Sequence, residues 1–89
     1  MSDAVVRRER SYRGISIRLA REYLVKLGAD AVDDDRVAAD AWSASLSAET
    51  VSIGPTLTLT EVTVVFEGEP ETLDPLIERF SQKAMRAGG

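Results

Sequence analysis

Two absences limit the chemistry available to this sequence: its 89 residues include no cysteine and no histidine. Without thiols or imidazoles there is no disulfide frame, no zinc site of the usual N/S type, no cysteine–histidine or serine–histidine machinery, and no switch that titrates near neutrality. Carboxylates, hydroxyls, guanidiniums and the backbone remain. Asp33-Asp34-Asp35, with Asp30 close by, offers oxygen ligands for a hard cation. Its spacing lacks the alternate acids, central glycine and distant glutamate of an EF-hand, so a solvated turn is the expectation. Neither a metal nor a cofactor is expected. A serine or threonine nucleophile needs a base, which here would have to be a lysine or a carboxylate. Lys26 and Lys83 each fall on an expected helix, and Ser81-Gln82-Lys83 reads as a polar helix face. The chain is therefore not expected to be an enzyme.

The sequence also ends in Gly88-Gly89. A carboxylate flanked by residues without side chains can thread a narrow active site, because glycine permits close approach from both sides. Adenylation there would make the carbonyl electrophilic toward sulfide or an amine. The alternative is that Gly88 caps a helix and Gly89 frays.

The formal charge of −4 conceals a segregation. Residues 1–27 hold seven basic groups against three acids (+4), residues 28–78 hold twelve acids against Arg36 alone (−11), and Arg79, Lys83 and Arg86 return +3. The arginines from Arg7 to Arg21 could bind phosphate, with Tyr12 and Tyr23 adding stacking. An acidic middle argues against a nucleic-acid binder, which needs a basic field over its whole footprint. Tyr23 and Trp42 read more simply as core aromatics. No stretch approaches the ~18 apolar residues of a membrane span, so a cytoplasmic protein is expected. The length fits one domain, and a homodimer that covers an apolar face would add to its stability.

The elements that hold these groups follow from periodicity. Residues 5–13 read as an edge strand with its charges facing water. Leu19, Ala20, Tyr23, Leu24 and Leu27 form a helical stripe, with Ser16 as N-cap and Gly28 as the left-handed residue after the end. Trp42, Ala44 and Leu46 share one parity and hence one sheet face. Thr50–Ile53 reads as a further short strand stopped by Gly54-Pro55. Within Thr56–Glu67 the apolar parity switches from Leu57 and Leu59 to Val62, Val64 and Phe66, which predicts a bulge near Thr60-Glu61. Leu73, Leu76, Ile77, Phe80 and Ala84 mark a second helix, capped by Thr72 or Asp74, with Pro75 in its first turn. The expected fold is α+β: a single-domain antiparallel sheet with two helices on one face, in the order strand, helix, strands, helix. The domain spans 1–85, and 86–89 form a short C-terminal Gly-Gly tail.

The segment SIGPTLTLTEVTVVFEG at 52–68 and the segment ERFSQKAMRAGG at 78–89 resemble a small archaeal family. That family is similar to the C-terminal domain attached to some relatives of the molybdopterin synthase small subunit. The likeness covers nearly the whole chain and includes no catalytically diagnostic motif. It implies a TATA-binding-protein-like fold and a place near sulfur-carrier and ubiquitin-like modifier systems. Members of those systems end in Gly-Gly and are activated by a ubiquitin-activating-type enzyme. Carry-over is limited to Gly88 and Gly89, and the implied partners are such an enzyme or a molybdopterin synthase component. In β-grasp carriers the tail follows a strand, whereas here it follows an expected helix. If that helix stops at Met85, the remaining residues reach only about 13–14 Å. The alternative role is a non-catalytic interaction or accessory domain for molybdenum-cofactor biosynthesis or sulfur transfer.

Overall fold

A computed structural model describes residues 5–88. The chain runs β1 (Val6–Arg13), α1 (Ile17–Lys26), β2 (Ala31–Val32), β3 (Arg36–Ala38), β4 (Trp42–Ser52), β5 (Thr58–Gly68) and α2 (Pro70–Gly88). The strands form one antiparallel sheet in the order β1-β5-β4-β3-β2. Even-numbered residues of the two long strands, Trp42, Ala44 and Leu46 with Val62, Val64 and Phe66, are buried. Both helices lie over that face, α1 against β3 and β4 and α2 against β1 and β5. The expected α+β order, the charged edge strand and the shared parity of β4 are all present.

Local chemistry sets the ends of α1. The Ser16 hydroxyl accepts from the Leu19 N–H at 3.1 Å, which satisfies one orphan donor of the first turn. At the other end Gly28 takes φ +122°. Its N–H donates to the Val25 carbonyl while the Ala29 N–H reaches back to the Leu24 carbonyl, each at 3.1 Å. This paired closure needs a left-handed residue at Gly28, where a β-carbon would be strained.

Helix α2 departs from the sequence expectation at both ends. It begins at Pro70, and the Glu69 carbonyl accepts from the N–H groups of Thr72 and Leu73 at 3.0 and 2.9 Å. Thr72 and Asp74 therefore lie inside the helix and do not cap it. Proline suits the first helical position because the N–H it lacks has no partner there in any case. Pro75 is the sixth residue of the helix, beyond the first turn, so a backbone donor is missing where the ladder would use one. At its far end α2 continues through Gly88. The described part of the expected 86–89 tail is thus helical backbone, and Gly89 lies outside the described residues.

The expected bulge near Thr60-Glu61 is absent. Pairing of β4 with β5 runs in unbroken register from Ser52↔Thr58 to Trp42↔Gly68. Leu57, 56% exposed, and half-buried Leu59 share the outer parity and stay there. A parity switch demands a bulge only where the whole strand lies over a core. In fact the strand outruns the helices, leaving no interior for those leucines to turn into. The short strand expected at Thr50–Ile53 is likewise the far end of β4.

Gly68, where β5 hands over to α2, is sterically enforced. A β-carbon there would lie 2.8 Å from the Ala41 carbonyl oxygen and 3.2 Å from the Trp42 β-carbon. The two chains can approach this closely only without a side chain. Gly68→Ala should destabilise the fold by about 1–3 kcal/mol, in the range of overpacked cores, read as a lower urea midpoint with an unchanged slope.

Candidate functional site

The structure disperses most of the groups singled out from the sequence. Asp33, Asp34 and Asp35 form the turn between β2 and β3, where their backbone holds the hairpin together. The Asp33 N–H donates to the Arg36 carbonyl, and the Asp35 carbonyl accepts from the Leu46 N–H, each at 2.7 Å. The Asp34 carbonyl accepts from Arg21 Nη1, also at 2.7 Å. The three side chains are exposed, and no group of potential metal ligands converges among the described residues.

Arginines of the N-terminal third are spread over several faces. Arg13 Nε donates to Glu61 Oε2 at 3.1 Å across the outer face of the sheet. Arg8 Nε is 3.4 Å from Asp74 Oδ1 on the helix side, and Arg18 lies 3.7 Å from Glu22 along α1. Pairs as exposed as Arg18–Glu22 contribute little to stability, but their scattering means that these arginines form no continuous phosphate track.

No serine–lysine pair is assembled at Ser81. Its hydroxyl is 2.8 Å from the Tyr12 hydroxyl, and Lys83 Nζ instead sits 6.0 Å from the centroid of the Tyr23 ring. Tyr23 and Trp42 occupy core positions, as their stripe and parity suggested. A shallow groove of about 210 Å³ lies between Leu27, Trp42, Thr72, Leu76 and Arg79. It contains a guanidinium and a hydroxyl but no base within its lining. Among the described residues no helix is long and apolar enough to cross a membrane.

The Tyr12–Ser81 contact could not be read from the sequence, because it joins two elements far apart in the chain through neutral hydroxyls. Burial pushes the Tyr12 phenol above its ordinary 10.0, and the Ser81 hydrogen bond and the Arg10 charge only partly oppose this. A phenol with a raised folded-state pKa stabilises the fold below its unfolded pKa and loses that contribution as pH rises through the folded value. Stability should therefore fall above about pH 10. Tyr12→Phe should lower stability by about 0.5–1.5 kcal/mol at neutral pH and flatten the alkaline fall, both read from urea melts at several pH values.

The diglycine end is reached through the last turns of α2. Ala84, 4% exposed, is the last residue of the helix among the buried core. Met85 is 74% exposed and Arg86 is exposed as well. Gly88 closes the helix by its backbone. Among the described side chains, Ala84 is therefore the last of α2 that is buried in the core.

Comparison with known proteins adds one finding. No curated protein and no solved structure matches the chain. The family model described as archaeal MoaD-like protein matches residues 8–89, from the second residue of the β1 arginine run to the final glycine. By that match, which takes in both helices and all of the sheet but the first two residues of β1, the chain belongs to the archaeal MoaD-like protein family.

Proposed function

We propose that this protein is a small sulfur carrier, not itself catalytic, whose reactive group is the carboxylate of Gly89. Family membership supports the class. The observation that carries the mechanism is the loss of anchorage after Ala84. Drawing Met85 to Gly88 out of the helix removes no buried side chain among the described residues, and it breaks only a few backbone hydrogen bonds that water can replace. Five extended residues reach about 17 Å, further than a tail that starts at Arg86. The chemistry belongs to a partner of the ubiquitin-activating type. The carboxylate displaces pyrophosphate from a nucleoside triphosphate to give an acyl adenylate. Sulfide then displaces the nucleotide monophosphate, leaving a thiocarboxylate for a molybdopterin synthase component or a related acceptor. Arg86 and Lys83 put positive charge near this end, which favours an acidic or nucleotide-bearing partner.

A second role, as an interaction or accessory domain, is favoured by the helical backbone at Gly88. A helix end is not the extended substrate that an activating site receives.

Intact-mass measurement of the protein from its native cells separates the two. A carrier should end at Gly89 and show a fraction in which one oxygen is exchanged for sulfur, and this fraction should vanish when Gly88 and Gly89 are deleted. A native mass extending past Gly89, or a carboxylate that never exchanges under sulfur demand, contradicts the carrier role. An accessory domain should keep its partner in pull-downs after the same deletion.

A further inference from the structure

The far half of β4 presents an open hydrogen-bonding edge, and we propose that it pairs with the same edge of a second copy of this chain. The inference is independent of the diglycine. It begins with the direction of the backbone groups. The Leu46 N–H donates to the Asp35 carbonyl, and the Trp42 carbonyl accepts from the Ala39 N–H. Even-numbered residues of β4 therefore point toward β3, since a strand residue directs its N–H and C=O to the same side. The odd ones face β5. Ile53, whose N–H donates to the Leu57 carbonyl at 2.9 Å, continues that alternation.

Strand β3 pairs only with Ser43 to Ser45. Beyond Leu46, the N–H and C=O groups of Ala48, Thr50 and Ser52 point into open space, with no backbone partner among the described residues. Unpaired edges invite pairing with another strand unless something guards them. The other long edge, β1, is guarded by Arg7, Arg8, Glu9, Arg10 and Arg13 within eight residues. The edge at β2 is two residues long and runs into the aspartate turn. From Ser47 to Ser52 the only charge is Glu49, and there is no proline.

The same stretch also lacks support. Residues 47–50 and 52–58 are exposed, because β4 and β5 project past the helices as a two-stranded ribbon. Two-stranded ribbons are marginal in water, and adding strands is what stabilises them.

Register selects a second copy as the occupant. An antiparallel two-fold centred on Thr50 sets Ala48 opposite the second copy's Ser52 and Thr50 opposite the second copy's Thr50. Every outward N–H of both strands then finds a carbonyl. On the helix side the facing side chains are alanine, serine and threonine, small enough for close approach, and a threonine pair across strands is favourable. On the other face Glu49 lies opposite the second copy's Val51, which keeps the two carboxylates from facing each other. Shifting the register by one pair toward Leu46 would oppose the two glutamates and lose a pairing to the Asp35 contact. The interface is small, so the dimer should be weak and concentration-dependent.

Residue-resolved amide exchange, together with sedimentation at two protein concentrations about a hundredfold apart, tests this. The Ala48, Thr50 and Ser52 amides should exchange at least tenfold more slowly in the concentrated sample, as the mass shifts toward dimer. The Ser11 amide on the guarded edge should not change. Thr50→Pro removes an N–H that points away from β5, so the β4–β5 ladder is retained; the variant should keep the wild-type circular dichroism and stay monomeric at both concentrations. A wild-type chain that is monomeric throughout, a dimer that protects other amides and not these three, or a dimer that survives Thr50→Pro would overturn the proposal.

Discussion

The aromatic ring of Phe80 holds the two layers together. It is fully buried and meets three other rings edge to face: Tyr12 of β1 at 5.0 Å, Phe66 of β5 at 5.8 Å and Tyr23 of α1 at 6.1 Å. One side chain of α2 thereby touches the edge strand β1, its neighbour β5 and the other helix. Edge-to-face pairs contribute about 0.5–1.5 kcal/mol each beyond their buried area, and they also fix the angle at which α2 crosses the sheet. That angle places Ser81 within hydrogen-bond distance of Tyr12.

Much of this architecture is legible in the sequence, where each signal has a local cause. Ser16 and Gly28 bound α1 because their chemistry acts within one turn, and the stripe from Leu73 to Ala84 marks the buried face of α2. Where the sequence misleads, the cause is not local. Leu57 and Leu59 suggest a bulge only if a core lies beneath them, and whether one does depends on where the helices stop. The helix start at Pro70 depends on the Glu69 carbonyl, a backbone acceptor that any residue could supply. The stripe ends at Ala84, which puts the end of the helix near Met85. Yet Met85, Arg86 and Ala87 are all good helix formers, and a helix already nucleated propagates through such residues readily. Gly88 and Gly89 are plain in the sequence as a terminal pair, but the helical backbone at Gly88 is not.

The sequence has no thiol and no imidazole, and among the described residues no polar or charged residue is fully buried. The aspartates Asp33 to Asp35 use their backbone to close a hairpin, and the arginines are divided between faces. The features on which the proposals rest lie at the periphery: a helix end where Met85 and Arg86 are exposed, and a ribbon edge that carries little charge. A carrier needs its end to be released while the body stays folded. The proposed role rests on the division at Ala84: the aromatic cluster at Phe80 anchors the preceding turns to the sheet, while Met85 and Arg86 are exposed.

Hydrogen exchange along α2 tests that division most directly. If anchorage ends at Ala84, the Met85 and Arg86 amides should exchange orders of magnitude faster than those of Ile77 and Phe80, whose opening requires the aromatic cluster to come apart. Exchange at Met85 and Arg86 as slow as at Phe80 would mean that the last turn belongs to the cooperative core, and the end could not be drawn out without unfolding the domain.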